Sequence, residues 1–259
     1  MLKEERLQKI INLVEENKFM SVSNMSNILD VTEMTIRRDL IELEELNLIK
    51  RVHGGARINN NYFDRQDAYI KTIKSNSKNK KIIAKIAADS IKDNDVIFIG
   101  AGTTTYYLTD YIKAKNIVVV TNSQQIIEKL WDNQEVKLIC TGGTYRGNTR
   151  SFIGPISERI ILNMRFNKIY LGTNGIDKNN IYTSSYEASI LYKTALNNST
   201  NRYILADSSK FNRLDFVSFY ETKDISIIIT DDELPELIYK KYNKSMSILT
   251  PSIYKKSEK

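Results

Sequence analysis

Between residues 79 and 242 the chain switches repeatedly between short β-branched runs and stretches with a helical apolar period, and few folds accommodate that pattern. The helical stretch KIIAKIAADSI leads to DVIFIG, a helix from Thr105 leads to NIVVV, and QQIIEKLW leads to EVKLIC. ISERIILNM then leads to NKIYLG, YEASILYKTAL to RYILAD, and ISIIIT is followed by LPELIYKKY. Strands alternating with helices predict a largely parallel sheet covered on both faces. Continuous apolar, β-branched strands suit such a doubly covered sheet, because neither face meets water.

The ends of these runs carry the next signal. They terminate in small polar residues: GAGTTT at 100–105, TNS at 121–123, TGGT at 141–144, GTNG at 172–175 and DSSK at 207–210. Open parallel sheets bind ligands beyond the carboxyl ends of their strands. Gly102 followed by Thr103, Thr104 and Thr105 at a helix start offers backbone N–H groups and hydroxyls to an anion, most simply a phosphate. Lys210 can neutralise it, and Asn122, Gly142, Gly143 and Asn174 on neighbouring ends can read sugar hydroxyls. Gly, Thr, Asn and Ser are ordinary turn residues one at a time. Five such ends on one sheet have no purely structural reason to recur.

The first 58 residues follow a different plan. Leu7, Ile10, Ile11 and Val14 recur at helical spacing. Ser23 is positioned to cap a short second helix holding Met25, Ile28 and Leu29. After a break at Asp30-Val31, Thr32 caps a third helix whose buried stripe is Ile36, Leu40, Leu43 and Leu46, with Thr35, Arg38, Glu42 and Glu45 opposite. Then LIKRVHGGARI reads as a hairpin, with Gly54-Gly55 supplying the turn. This order is that of a winged helix-turn-helix, whose third helix enters the major groove by its N-terminal end. Thr32, Thr35, Arg37 and Arg38 are the expected groove contacts, with Lys50, Arg51 and Arg57 on the flanking backbone. Glu42 also stands four residues after Arg38, where it could pair with it.

Bulk charge does not carry that expectation. Residues 1–60 hold 9 basic and 10 acidic side chains, although the whole chain is at +7. Binding must therefore use a local basic face. The later lysines, including Lys71, Lys74, Lys78, Lys80 and Lys81, read as solvated linker and helix surface. One cysteine, Cys140, excludes an internal disulfide. The charged opening MLKEERLQKIINLVEENKF is neither signal peptide nor membrane span, so a cytoplasmic protein is expected. No metal site, cofactor or catalytic set is expected. The domains are read as 1–58, a linker over 59–76, and an α/β domain over 77–259.

The segment MTIRRDLIELEELNLIKRVHGGA, followed in order by AGTTT, TNS, GG, SFIG and DSSKF, resembles the DeoR family of bacterial transcription regulators over residues 3–231. VIFIGAGTTT and YTSS look more like the repressors of lactose and tagatose phosphate use than like the family at large. The resemblance implies a repressor that binds double-stranded operator DNA. Its C-terminal domain would resemble sugar-phosphate isomerases and bind a phosphorylated sugar as effector. A homo-oligomer, dimer or tetramer, is expected from the paired half-sites such proteins read. The alternative is a sugar-phosphate isomerase carrying a helical appendage. The α/β domain has no histidine, leaving Asp207, Glu187 and Lys210 for such chemistry.

Overall fold

The computed structural model describes residues 2–45, 49–58 and 75–257. The chain divides into two compact units, 1–68 and 69–259. Apart from its last two residues, the segment expected to be a linker lies outside the described residues, as does Leu46.

The first unit opens with α1 (Lys3–Asn17), which buries Leu7, Ile10, Ile11 and Val14. It ends where Lys18 turns left-handed. Phe19–Ser21 form β1, a strand too short to show a period in sequence. Ser21, not Ser23, caps α2 (Val22–Leu29), its hydroxyl accepting the Asn24 N–H at 3.1 Å. Asp30 in the left-handed region ends α2. Thr32 then starts α3 (Glu33–Glu45), accepting the Thr35 N–H at 3.2 Å. Ile36, Leu40 and Leu43 bury the inner face of α3.

The hairpin is β2 (Ile49–Val52) and β3 (Gly55–Ile58), turning through His53 and Gly54. The sheet order is β1-β3-β2, all antiparallel, so the wing has three strands rather than two. Gly54 supplies the positive φ of 78°. Gly55 is needed for a different reason: a Cβ there would run into the Met20 carbonyl on β1 and stand 2.9 Å from the Ser21 Cα.

The second unit begins with α4 (Ser77–Asp89), β4 (Val96–Ile99), α5 (Thr103–Leu108), β5 (Ile117–Thr121), α6 (Gln124–Leu130) and β6 (Val136–Cys140). It continues through a hairpin, β7 (Thr144–Arg146) and β8 (Ser151–Ile153), then α7 (Pro155–Ile161) and β9 (Phe166–Gly172). There follow β10 (Gly175–Ile176), β11 (Asn180–Thr183), α8 (Tyr186–Asn197), β12 (Ser199–Leu205) and β13 (Val217–Glu221). The unit closes with β14 (Ile227–Ile229), α9 (Glu236–Tyr242), β15 (Ile248–Leu249) and α10 (Pro251–Ser257).

Seven strands form one parallel sheet in the order β15-β14-β12-β9-β4-β5-β6. Side chains alternate across it as the pleat requires. Phe98 joins one apolar core with Ile169, Leu171, Ile204 and Ile228, while Ile97 and Ile99 join the other with Tyr170, Leu205 and Ile229. The first core is covered by α7, α8 and α9, and the second by α4, α5, α6 and α10. A small antiparallel sheet, β10-β11-β13, is added on the side of the first core. Among the described residues no helix is long and apolar enough to cross a membrane.

Candidate functional site

Two places gather chemistry, one in each unit. In the first, the front of α3 projects from a rigid mount. Asp39 lies on the buried face of α3, where its carboxylate accepts from Arg6 Nε at 2.6 Å and Nη2 at 3.1 Å, tying α1 to α3. Glu44 ties α3 to the wing: it accepts the Arg51 backbone N–H at 2.9 Å and Arg51 Nε at 2.6 Å. Those two hydrogen bonds hold the Glu44 carboxyl below the ordinary carboxylate value. Arg51, expected on the DNA backbone, is therefore engaged in positioning the hairpin.

Arg37 and Arg38 are both exposed. Arg37 lies 3.3 Å from Glu33 one turn earlier. The Arg38 side chain makes no ion pair or hydrogen bond with another described residue. Glu42, expected to compete for it, is instead 2.7 Å from Lys3. Thr32 and Thr35 hydroxyls lie 3.0 Å apart at the head of the helix. Lys50 and Arg57 are exposed partners across β2 and β3, which gives the wing a paired basic edge.

In the second unit, parallel strands carry their following loops to one end of the sheet. Gly100–Thr105 follows β4, Thr121–Ser123 follows β5, Thr141–Thr144 follows β6, Gly172–Gly175 follows β9 and Asp207–Lys210 follows β12. Several of the polar groups there hold the loops themselves. Thr105 Oγ1 donates to the Gly100 carbonyl at 2.7 Å, and Thr121 Oγ1 to the Ile99 carbonyl at 2.6 Å. Asn122 is fully buried; its Oδ1 accepts from the Ala101 N–H at 2.9 Å and its Nδ2 donates to the Phe152 carbonyl at 3.0 Å. Thr105 and Asn122 thus shape the loop that sequence reading had them offer to a ligand.

Gly102 precedes α5, with Thr103 half-buried and Thr104 buried in its first turn. The Gly142 carbonyl accepts from the Ser157 hydroxyl. Gly143, at φ 108°, has no room for a Cβ, which would meet that hydroxyl and stand 2.7 Å from the Ile153 carbonyl oxygen. Asn174 is half-buried, and its N–H is bound to the Tyr182 carbonyl at 3.0 Å.

Lys80 is the residue that sequence reading missed. It was expected on a solvated face, yet it is 3% exposed. It stands in the first turn of α4, near the buried Asp207 and near Lys210, and burial pushes its ammonium below the ordinary lysine value despite the attraction of Asp207. The signal was present in the spacing, because Lys80 falls on the stripe of Ile83, Ala84 and Ala87. Asp207 accepts from Ser209 and, at 3.4 Å, from Asn76. Lys210 is half-buried and forms no ion pair with a described residue. Arg146, on the β7–β8 hairpin, acts electrostatically on Tyr192, whose hydroxyl donates to the Ala101 carbonyl at 3.3 Å. Cations therefore converge on the loop end from three separate elements.

Comparison with known proteins agrees with both units. Residues 6–62 match the DeoR-like helix-turn-helix domain, and residues 75–232 match the DeoR C-terminal sensor domain. A lactose phosphotransferase system repressor of Streptococcus mutans serotype c is 36% identical over 233 residues, 89% of this chain and 93% of that protein. The protein of that name from Lactococcus lactis subsp. lactis is 34% identical over 252 residues, 96% of this chain and 99% of its own. Among solved structures, a ribose 5-phosphate isomerase from Plasmodium falciparum aligns with 51% of this chain and 52% of its own at 20% identity, with a TM-score of 0.37. The eIF2B beta subunit from Chaetomium thermophilum aligns with 66% and 54% at 15% identity, with a TM-score of 0.45. With a winged helix-turn-helix ahead of a seven-stranded parallel sheet, and with relatives matched over nearly their whole length, this chain belongs to the DeoR family.

Proposed function

We infer that the chain is a DNA-binding repressor of sugar-metabolism genes that a phosphorylated sugar releases from its operator. The observation that carries the DNA half is Arg38, an exposed guanidinium without a partner among the described residues, held at the front of a helix braced on both sides. A guanidinium so placed suits the O6 and N7 of guanine. Arg37, Thr32 and Thr35 stand beside it, and Lys50 and Arg57 suit the flanking phosphates. Dimers or tetramers would present two such helices to repeated half-sites, and a cytoplasmic location follows from that partner.

The effector half rests on Lys80 and Lys210, which stand near each other and Asp207, and on the Gly102–Thr104 turn that follows a strand at the same end of the sheet. Both lysines are cations at the loop end of the sheet, and a phosphate there would gain charge-assisted hydrogen bonds from them. Gly142, Gly143 and Asn174 border the space a sugar would take. The curated relatives are named for a lactose phosphotransferase system, and transfer of phosphate to a sugar yields a phosphorylated sugar, which supports this class of ligand.

We read the second unit as a sensor without turnover. It holds no histidine, so a general base would fall to Asp207, Glu187 or a lysine such as Lys210. Asp207 already serves Ser209 and Asn76, and the Glu187 carboxylate accepts from Ser185 at 3.1 Å. A thermal-shift screen with phosphorylated sugars and their unphosphorylated forms tests the ligand class, and incubation of each hit followed by sugar analysis tests turnover. Stabilisation by phosphorylated sugars with no conversion is expected. Conversion of a hit would restore the isomerase reading, and indifference to every phosphate would remove the effector reading.

A further inference from the structure

The outward face of α3 is not only basic. Opposite the buried line of Ile36, Leu40 and Leu43, the exposed residues of α3 are Glu33, which pairs with Arg37, and Met34, Arg37, Arg38 and Ile41. Met34 is 62% exposed, the second residue of the helix, one turn before Arg38 on the same line. A single exposed methionine is ordinary on a protein surface. This one stands at the centre of the face flanked by the two arginines, at the helix end that goes deepest into a major groove. Only one apolar group is offered on the floor of that groove, the 5-methyl of thymine. Methionine is unbranched and polarisable, and so can follow a methyl group without a rigid fit.

We propose that Met34 is a specificity residue that reads a thymine 5-methyl within one base step or two of the position contacted by Arg38. This rests on the DNA-binding reading above. It adds something that the arginines cannot supply, since guanidinium contacts select guanine or phosphate and leave thymine unread. Ile41 lies about 10 Å farther along the helix, too far back to share the same base.

The test uses the full chain and a duplex selected by it from a random pool. Each thymine of one half-site is replaced in turn by uracil, which removes the methyl group alone, and affinity is measured by fluorescence anisotropy for wild type and Met34→Ala. Wild type should weaken about fourfold at one thymine of the half-site, as expected for one buried methyl. Met34→Ala should bind the thymine duplex about fourfold more weakly per half-site, about sixteenfold where two copies bind, and be indifferent to uracil at that position. Because the side chain is exposed, Met34→Ala should keep its circular dichroism. Wild-type indifference to every uracil, or undiminished uracil sensitivity in Met34→Ala, overturns the proposal. So does unchanged DNA affinity of Met34→Ala with an altered sedimentation mass, which would assign this face to a protein contact. In these cases, loss of specific binding in Arg38→Ala leaves the DNA-binding reading intact. Failure of any duplex to be enriched overturns that reading and this proposal together.

Discussion

Lys80→Met should make the unliganded protein more stable and nearly blind to its effector. Methionine matches the lysine in length and suits the stripe of Ile83, Ala84 and Ala87 that Lys80 sits on. In the folded chain, burial disfavours the ammonium more than Asp207 favours it, so the proton is held less tightly than in the unfolded chain. The cost is full at neutral pH and fades as pH climbs toward the ordinary lysine value of about 10.4. The substitution would remove that cost, most at neutral pH and not at all in strong alkali. The effector should respond in the opposite sense. One lost charge-assisted hydrogen bond of about 1.5–3 kcal/mol weakens binding about 10–150-fold. A sugar phosphate at one hundred times the wild-type Kd adds about 2.7 kcal/mol to wild type, roughly 5–11 °C in a unit of this size. With affinity down about a hundredfold, the same concentration adds only about 0.4 kcal/mol, a degree or two. Differential scanning fluorimetry at pH 7 and pH 10, with and without ligand, reads every arm. A lower unliganded Tm in Lys80→Met at pH 7, or a ligand shift equal to that of wild type, would refute the assignment.

Three further outcomes follow from the geometry. Arg38→Ala should cost about 1–3 kcal/mol per half-site and relax sequence preference at one base position, as read by gel shift on single-base operator variants. Glu44→Ala adds net positive charge, which by bulk electrostatics would tighten DNA binding; loss of both Arg51 hydrogen bonds should instead weaken it about twofold to fivefold, and tighter binding would show that the wing needs no bracket. Gly143→Ala places a Cβ 2.7 Å from the Ile153 carbonyl at φ 108°, so thermal unfolding without ligand should show about 1–3 kcal/mol of destabilisation.

Much of this was legible because the apolar period is strong where elements are long. Leu7, Ile10, Ile11 and Val14 announce α1, and the runs ending at Gly100, Thr121 and Cys140 announce strands of the parallel sheet. The resemblance carried by MTIRRDL through DSSKF added the family, and the curated relatives are of the lactose type that VIFIGAGTTT and YTSS had suggested. Short elements stayed hidden. Phe19–Ser21 is three residues long and β10 only two, and β11 is held by β13, with Asn180 opposite Glu221, a pairing that no local window records. Residue type misleads at three places. Charge suggests a surface position for Lys80, which sits on a buried stripe, and Asp39 and Met34 draw no notice beside the arginines of the same helix. At the loops, composition marked the end of the sheet where the polar residues gather but could not foretell that Thr105 and Asn122 hold the loops in shape.

The most direct test of the whole account is a titration of operator duplex with the full chain, with and without the best sugar phosphate from the screen. Ligand-driven release requires that the effector bind the DNA-free arrangement more tightly, and by linkage operator must weaken the effector by the same factor. The account predicts that the sugar phosphate weakens operator binding about 5–150-fold, that operator weakens sugar phosphate binding equally, and that the unphosphorylated sugar does neither. Operator affinity unchanged at saturating sugar phosphate, or equal release by the unphosphorylated sugar, would contradict it.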